Sequence, residues 1–154
     1  MSSRAALLAL PLAVLLLAPA TAAAQGADAQ APVRQVVVPA GVTPGPNFSP
    51  AIRSRNVLYV SGQLAPAGTG PTIQEQTRAV MNGIKTVVEA GGSTMDNVVK
   101  CTVFLIAAAD FAGMNEAYVP FFPSNPPARS TVVVAALVRA DAKVEIECIA
   151  AVPR

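Results

Sequence analysis

Arg129 is the residue whose surroundings most invite a chemical role. It stands at the start of a candidate strand, one residue past the stiff Pro126-Pro127 pair, and by period two shares a face with Thr131 and Val133. A guanidinium among apolar and small side chains needs an anionic partner, because an unpaired buried charge is costly. Two partners are open. One is a salt bridge within the chain to Glu145 or Glu147. The other is the carboxylate of a ligand, which the planar fork of arginine grips with two hydrogen bonds. Glu145 and Glu147 lie two apart on one face of the last candidate strand. Neighbouring carboxylates push one pKa upward, so such a pair offers an acid or base group. Solvated carboxylates, or pairs with Lys143 and Arg139, are the plainer alternative. Ser61-Gly62-Gln63 ends a strand with a hydroxyl and free N–H groups, which suits an oxygen ligand or an ordinary turn. Asn115 and Tyr118 on a candidate helix are equally open, while Tyr59 reads as packing.

Composition narrows that chemistry. There is no histidine, which removes the commonest general base, the commonest metal ligand and the usual Ser–His and Cys–His nucleophile systems. The two cysteines, Cys101 and Cys148, cannot build a zinc site by themselves. On two central strands they read as buried thiols, or as a disulfide if their Cα atoms lie within about 7 Å. No metal and no cofactor is therefore expected. The 154 residues carry 11 Lys and Arg against 9 Asp and Glu, a formal charge of +2 with no basic cluster, a poor match to nucleic acid.

Recognisable elements must position these residues. Val33–Val38 is a candidate strand ended by Pro39, and the proline-rich PAGVTPGPNFSP is an ordered loop. Ala51–Arg53 and Asn56–Ser61 form a hairpin around Ser54 and Arg55, with Val57, Tyr59 and Ser61 on one face and Leu58 and Val60 on the other. Thr72 and Glu75 have capping-box spacing, and Val80, Ile84, Val87 and Val88 follow at helical period. Gly91 and Gly92 stop that helix with a left-handed cap. Asn97–Ile106 is a β-branched central strand. Asp110 caps a second helix over FAGMNEAYVPFF, and Ala128–Val134 and Val144–Val152 are further strands. The order β-β-β-α-β-α-β-β predicts an α+β fold: one mixed sheet with two helices packed on one face. Its other face would be uncovered and apolar, which favours self-association.

The N-terminal segment reads as an address. Arg4, the apolar run Ala5–Ala18 and the A-x-A pair Ala22 and Ala24 are the three parts of a secretory signal peptide. A membrane anchor is the alternative, but it needs about 20 apolar residues. The expected organisation is a signal peptide at 1–24 cleaved before Gln25, a flexible mature N-terminus at 25–36, and one domain at 37–154. The protein would then be periplasmic or secreted, with no membrane attachment after cleavage. Losing Arg4 leaves one more basic than acidic residue, +1.

GPNFSPAI, NVLYVSGQL, VVEAGGS, VVKCTVFL, DFAGMNEAYVPFF, PPARSTV and VEIECIA, in this order from Val37 to Val152, resemble the RidA/YjgF family of enamine/imine deaminases. The resemblance implies a chorismate-mutase-like fold and a homotrimer with clefts between subunits. It implies that Arg129 pairs with a substrate carboxylate, that Glu145 activates the hydrolytic water, and that Ser61 and Asn115 line or support the cleft. There are departures. Phe48 replaces a family tyrosine, Pro50 a glutamine and Thr131 a cysteine, and the loop Ala135–Ala142 is one residue longer. Phe48 and Thr131 thus stand at substrate-binding positions with altered chemistry. The implied reaction is hydrolysis of a small 2-imino or enamine acid to a 2-keto acid and ammonia. The alternative is an exported, non-catalytic binder of a small carboxylate on the same trimeric scaffold. RNA cleavage, a third activity attributed to the family, fits poorly with export and near-neutral charge.

Overall fold

The computed structural model describes residues 33–153. The expected signal peptide and residues 25–32 of the expected flexible segment lie outside the described residues. Six strands form one sheet: β1 (Gln35–Val37), β2 (Ala51–Ser54), β3 (Val57–Leu64), β4 (Val98–Leu105), β5 (Ala128–Val133) and β6 (Val144–Ala151), in the spatial order β1-β2-β3-β6-β4-β5. Only β4 and β5 pair in parallel. The sheet is mixed because two helices act as crossovers. Helix α1 (Ile73–Ala90) carries the chain from β3 to β4, and α2 (Phe111–Tyr118) carries it from β4 to β5. The expected element order and fold class are those observed. The first strand is shorter than expected, and the second helix ends at Tyr118, where Val119–Phe121 tightens into a 3₁₀ turn around Pro120.

Period-two alternation builds the core. Leu58 and Val60 of β3, Cys101, Val103 and Leu105 of β4, and Val144, Ile146, Cys148 and Ala150 of β6 are buried toward the helices. Val80, Met81, Ile84, Val87 and Val88 of α1 and Met114 of α2 cover them. The capping box forms as expected: Thr72 Oγ1 accepts from the Glu75 N–H at 3.2 Å, and Glu75 Oε2 accepts from the Thr72 N–H at 3.0 Å. At the far end the two glycines divide the work. Gly91 stays right-handed (φ −78°) and leaves room for Leu58, while Gly92 takes the left-handed turn (φ +79°).

Two expectations need correction, and one open alternative is decided. Asp110 makes no capping hydrogen bond to α2; its Oδ2 faces Lys143 Nζ at 3.7 Å, a pairing made possible because β6 begins beside the β4–α2 junction. The cysteines are not free thiols. Cys101 and Cys148 are cross-strand partners on β4 and β6, 4.1 Å apart at Cα, and form a disulfide. The uncovered sheet face is not uniformly apolar: Tyr59, Phe104 and Ile149 alternate there with Lys100, Thr102 and Glu147, and Lys100 Nζ donates to Ser130 Oγ at 2.7 Å.

Candidate functional site

Pro126 and Pro127 lack N–H groups and deliver the chain stiffly to the edge strand β5, where Arg129 is the second residue. In the parallel register Arg129 stands beside Cys101, whose side chain lies under the helices, so the guanidinium leaves the sheet toward α2. There α2 presents Phe111, Met114, Asn115 and Tyr118, which helical spacing puts on one side. Arg129 Nη2 donates to Asn115 Oδ1 at 2.7 Å. The guanidinium carbon sits 4.7 Å from the Tyr118 ring centroid and 5.9 Å from that of Phe111. Such cation–π contacts contribute about 0.5–2 kcal/mol each. They hold the cation without neutralising it. Among the described residues Arg129 has no ion pair, so the expected alternative of a bridge to Glu145 or Glu147 does not form. The guanidinium borders a cavity of about 370 Å³ shared with Asn115, Tyr118, Phe122 and Pro127.

Two hydroxyls near this cation are enclosed and without a partner among the described residues: Tyr118 Oη and Thr131 Oγ1. Tyr118 is only 4% exposed. Burial pushes its phenol up to about 12, against a smaller opposing pull from Arg129. The phenol therefore stays protonated at physiological pH. Thr131 follows Arg129 by two residues on the same strand face, beside Val103.

Glu145 and Ser61 are elsewhere. In the register of β6 with β4, Glu145 stands opposite Phe104 and Glu147 opposite Thr102, on the uncovered face. The Cys101–Cys148 row that shares Arg129's face lies on the other side of the sheet. Within one protomer the sheet thus separates Arg129 from Glu145. Glu145 leans instead over a bulge in β3, where Ser61 and Gly62 together oppose Glu147. Its carboxylate lies against Gly62, in the space a Cβ would fill. Ser61 Oγ donates to the Ser49 carbonyl at 2.7 Å, and Gln63 Nε2 donates to the Ser61 carbonyl at 3.0 Å. Phe48, next to Ser49, is 65% exposed and does not border the Arg129 cavity. The expected pairs of the glutamates with Lys143 and Arg139 are absent: Lys143 faces Asp110, and Arg139 binds Asp141 at 2.8 Å.

The candidate residues therefore fall into two groups, one on each side of the sheet. Asn115, Arg129 and Thr131 form one; Ser61 and Glu145, with Phe48 on the adjoining loop, form the other. Sequence reasoning left Tyr118 ambiguous and missed the part played by Phe111 and Gly62. The i, i+3, i+4, i+7 spacing of 111, 114, 115 and 118 was the available signal for the arginine seat.

The chain matches the family model described as Endoribonuclease L-PSP over residues 40–152. It is 41% identical over 108 residues to Reactive Intermediate Deaminase A of Arabidopsis thaliana, covering 67% of this chain and 57% of that protein. It is 38% identical over 124 residues to 2-iminobutanoate/2-iminopropanoate deaminase of Dermatophagoides farinae, covering 77% of this chain and 95% of that one. Among solved structures, yeast Mmf1 is similar at 30% identity with a TM-score of 0.71, covering 78% of this chain and 99% of that chain. A YjgF-family protein of Neisseria meningitidis is similar at 27% identity with a TM-score of 0.70, covering 79% and 96%.

Proposed function

The chain belongs to the endoribonuclease L-PSP family, that of the RidA and YjgF proteins, and on that premise we propose that it hydrolyses small 2-imino acids. The observation that carries this reading is Arg129: a guanidinium held by Asn115 and two aromatic rings, bordering a cavity, with no carboxylate partner among the described residues. Its missing partner is the carboxylate of the substrate. The names of the Arabidopsis and Dermatophagoides relatives support an imine as the reacting group.

In the reaction Arg129 grips the carboxylate and orients the C=N bond. Glu145 takes a proton from water as the water oxygen bonds to the imine carbon. Glu145 passes that proton to the imine nitrogen, giving a carbinolamine; as the C–N bond breaks, the carbinolamine hydroxyl proton moves to the nitrogen, so ammonia leaves and the new C=O completes a 2-keto acid. The Thr131 hydroxyl and backbone N–H groups steady the adduct. Ser61, whose hydroxyl donates to the Ser49 carbonyl, acts on the substrate only as an acceptor or by shaping the bulge. Because one protomer keeps Arg129 and Glu145 apart, the working site forms where the Arg129 half of one subunit meets the Glu145 half of another. A homotrimer closes that arrangement cyclically.

The test is to generate 2-iminopropanoate enzymatically and follow its decay. Wild-type protein accelerates decay, and Arg129→Ala and Glu145→Gln each remove about a hundredfold or more of the effect. Equal decay with and without protein sinks the proposal. Phe48 favours a second reading, a non-catalytic carboxylate binder, because a phenol of the family pattern is missing there. Saturable 2-oxobutanoate binding without turnover would select it. The proposed setting is the periplasm or the exterior, which the Cys101–Cys148 disulfide supports. Mass measurement of the exported chain should find Gln25 at its N-terminus.

A further inference from the structure

Gly62 interrupts a strand, where glycine ordinarily costs stability. Its φ lies outside the left-handed region, so no conformational need explains it. What distinguishes the position is space. A Cβ there would strike the Oε1 of Glu145, with the Glu145 Cδ next at 3.0 Å and Cγ at 3.3 Å. The three nearest atoms all belong to that one side chain. The bulge is itself held from two sides: Ser61 Oγ and Ser61 N–H both tie it to the loop before β2, through Ser49 and Pro50, and Gln63 Nε2 binds the Ser61 carbonyl.

We propose that Gly62 is a positioning residue: the bulge it occupies is the seat that sets the Glu145 carboxylate in place for water activation. This rests on the imine-hydrolysis reading above. Ser61, Gly62 and Gln63 then act together as a cradle for the base, with glycine supplying the vacancy, serine anchoring the bulge and glutamine holding its carbonyl. The consequence of adding a methyl group is specific. The atoms in its way are the far end of a flexible side chain, so the carboxylate moves and the sheet does not.

The test uses Gly62→Ala, Glu145→Gln and their combination in the full chain. For 2-iminopropanoate, Gly62→Ala lowers kcat about 10- to 100-fold, as expected for a base displaced by an ångström or so. The affinity for 2-oxobutanoate, set at Arg129, changes less than about twofold. In the Glu145→Gln background the same substitution costs less than about twofold more, because the base is already gone. A crystal structure of Gly62→Ala shows the Glu145 carboxylate displaced on an unchanged sheet. Wild-type turnover in Gly62→Ala, losses that multiply in the double variant, or an unmoved carboxylate would each overturn the seat. If Gly62→Ala fails to fold, adding Glu145→Ala must restore folding, and failure to do so overturns it too. If wild type and Glu145→Gln prove equally inert toward the imine, the hydrolysis reading falls, while the crystal structure still decides where the carboxylate sits.

Discussion

Arg129 illustrates how a cation is held in place without being neutralised. One hydrogen bond to Asn115 and two aromatic faces fix its plane, and none of them removes its charge. Lysine at this position keeps the charge but loses the fork and most of the stacking. Arg129→Lys is therefore expected to raise KM for an imino acid about tenfold or more while the protein stays folded, a difference that steady-state kinetics with circular dichroism will read. Tyr118 supplies a pH signature for the same cluster. Its phenol ionises near 12 in the folded protein against 10.0 ordinarily. Between those values the unfolded chain has lost a proton that the native protein still holds, so stability falls as pH rises from 10 to 12. Urea unfolding across that window should show the decline, and Tyr118→Phe should flatten it. In a Tyr59→Phe background, the tyrosinate absorbance step should centre near 12.

At the scale of elements, α1 is the part of the fold most fully written into local sequence. Its start is a two-way exchange between Thr72 and Glu75, and its end is a glycine with positive φ. Thr72→Ala removes the cap hydroxyl and should lower stability by about 1 kcal/mol in denaturant titration near neutral pH. The hydrogen bonds from Thr72 hold the Glu75 carboxyl below its ordinary value. That contribution is present above the unfolded pKa and is lost as pH falls through the lowered folded one. The gap between wild type and Thr72→Ala should accordingly shrink in acid. Helix α2 was legible as a helix but not in its surroundings. Asp110 has the type of a cap, yet the return of β6 offers it Lys143, and the longer-range partner prevails.

For the whole molecule, the separation of Arg129 from Glu145 and the disulfide carry the main consequences. If a working site takes its arginine from one subunit and its glutamate from another, inactive Arg129→Ala and Glu145→Gln proteins should complement when unfolded together and reassembled. Random mixing leaves about a quarter of the interfaces with both native halves, so activity should return to about that fraction. Persistent inactivity of a mixture shown to contain mixed oligomers would count against a shared site. The Cys101–Cys148 bridge spans 47 residues of sequence and joins the strand beside Arg129 to the strand of Glu145. Replacing both cysteines by alanine should cost about 2–4 kcal/mol, measurable by urea unfolding. A reductant should then affect wild type and leave the variant unchanged.

Sequence alone determined the elements and their faces. Periodicity separated Leu58 and Val60 from Tyr59 and Ser61, and Cys148 from Glu145 and Glu147, because a strand alternates its side chains whatever its neighbours are. Capping chemistry placed α1 for the same local reason, and the motif blocks carried the family. Register and crossover lay beyond that reach. The insertion of β6 between β3 and β4 puts Cys101 opposite Cys148, making a disulfide of two residues 47 apart. The same arrangement sends Arg129 and Glu145 to opposite faces, and the β3 bulge brings the Glu145 carboxylate onto Gly62. Those juxtapositions depend on which strands become neighbours. That choice is made by packing the whole chain around one core, and no local pattern encodes it.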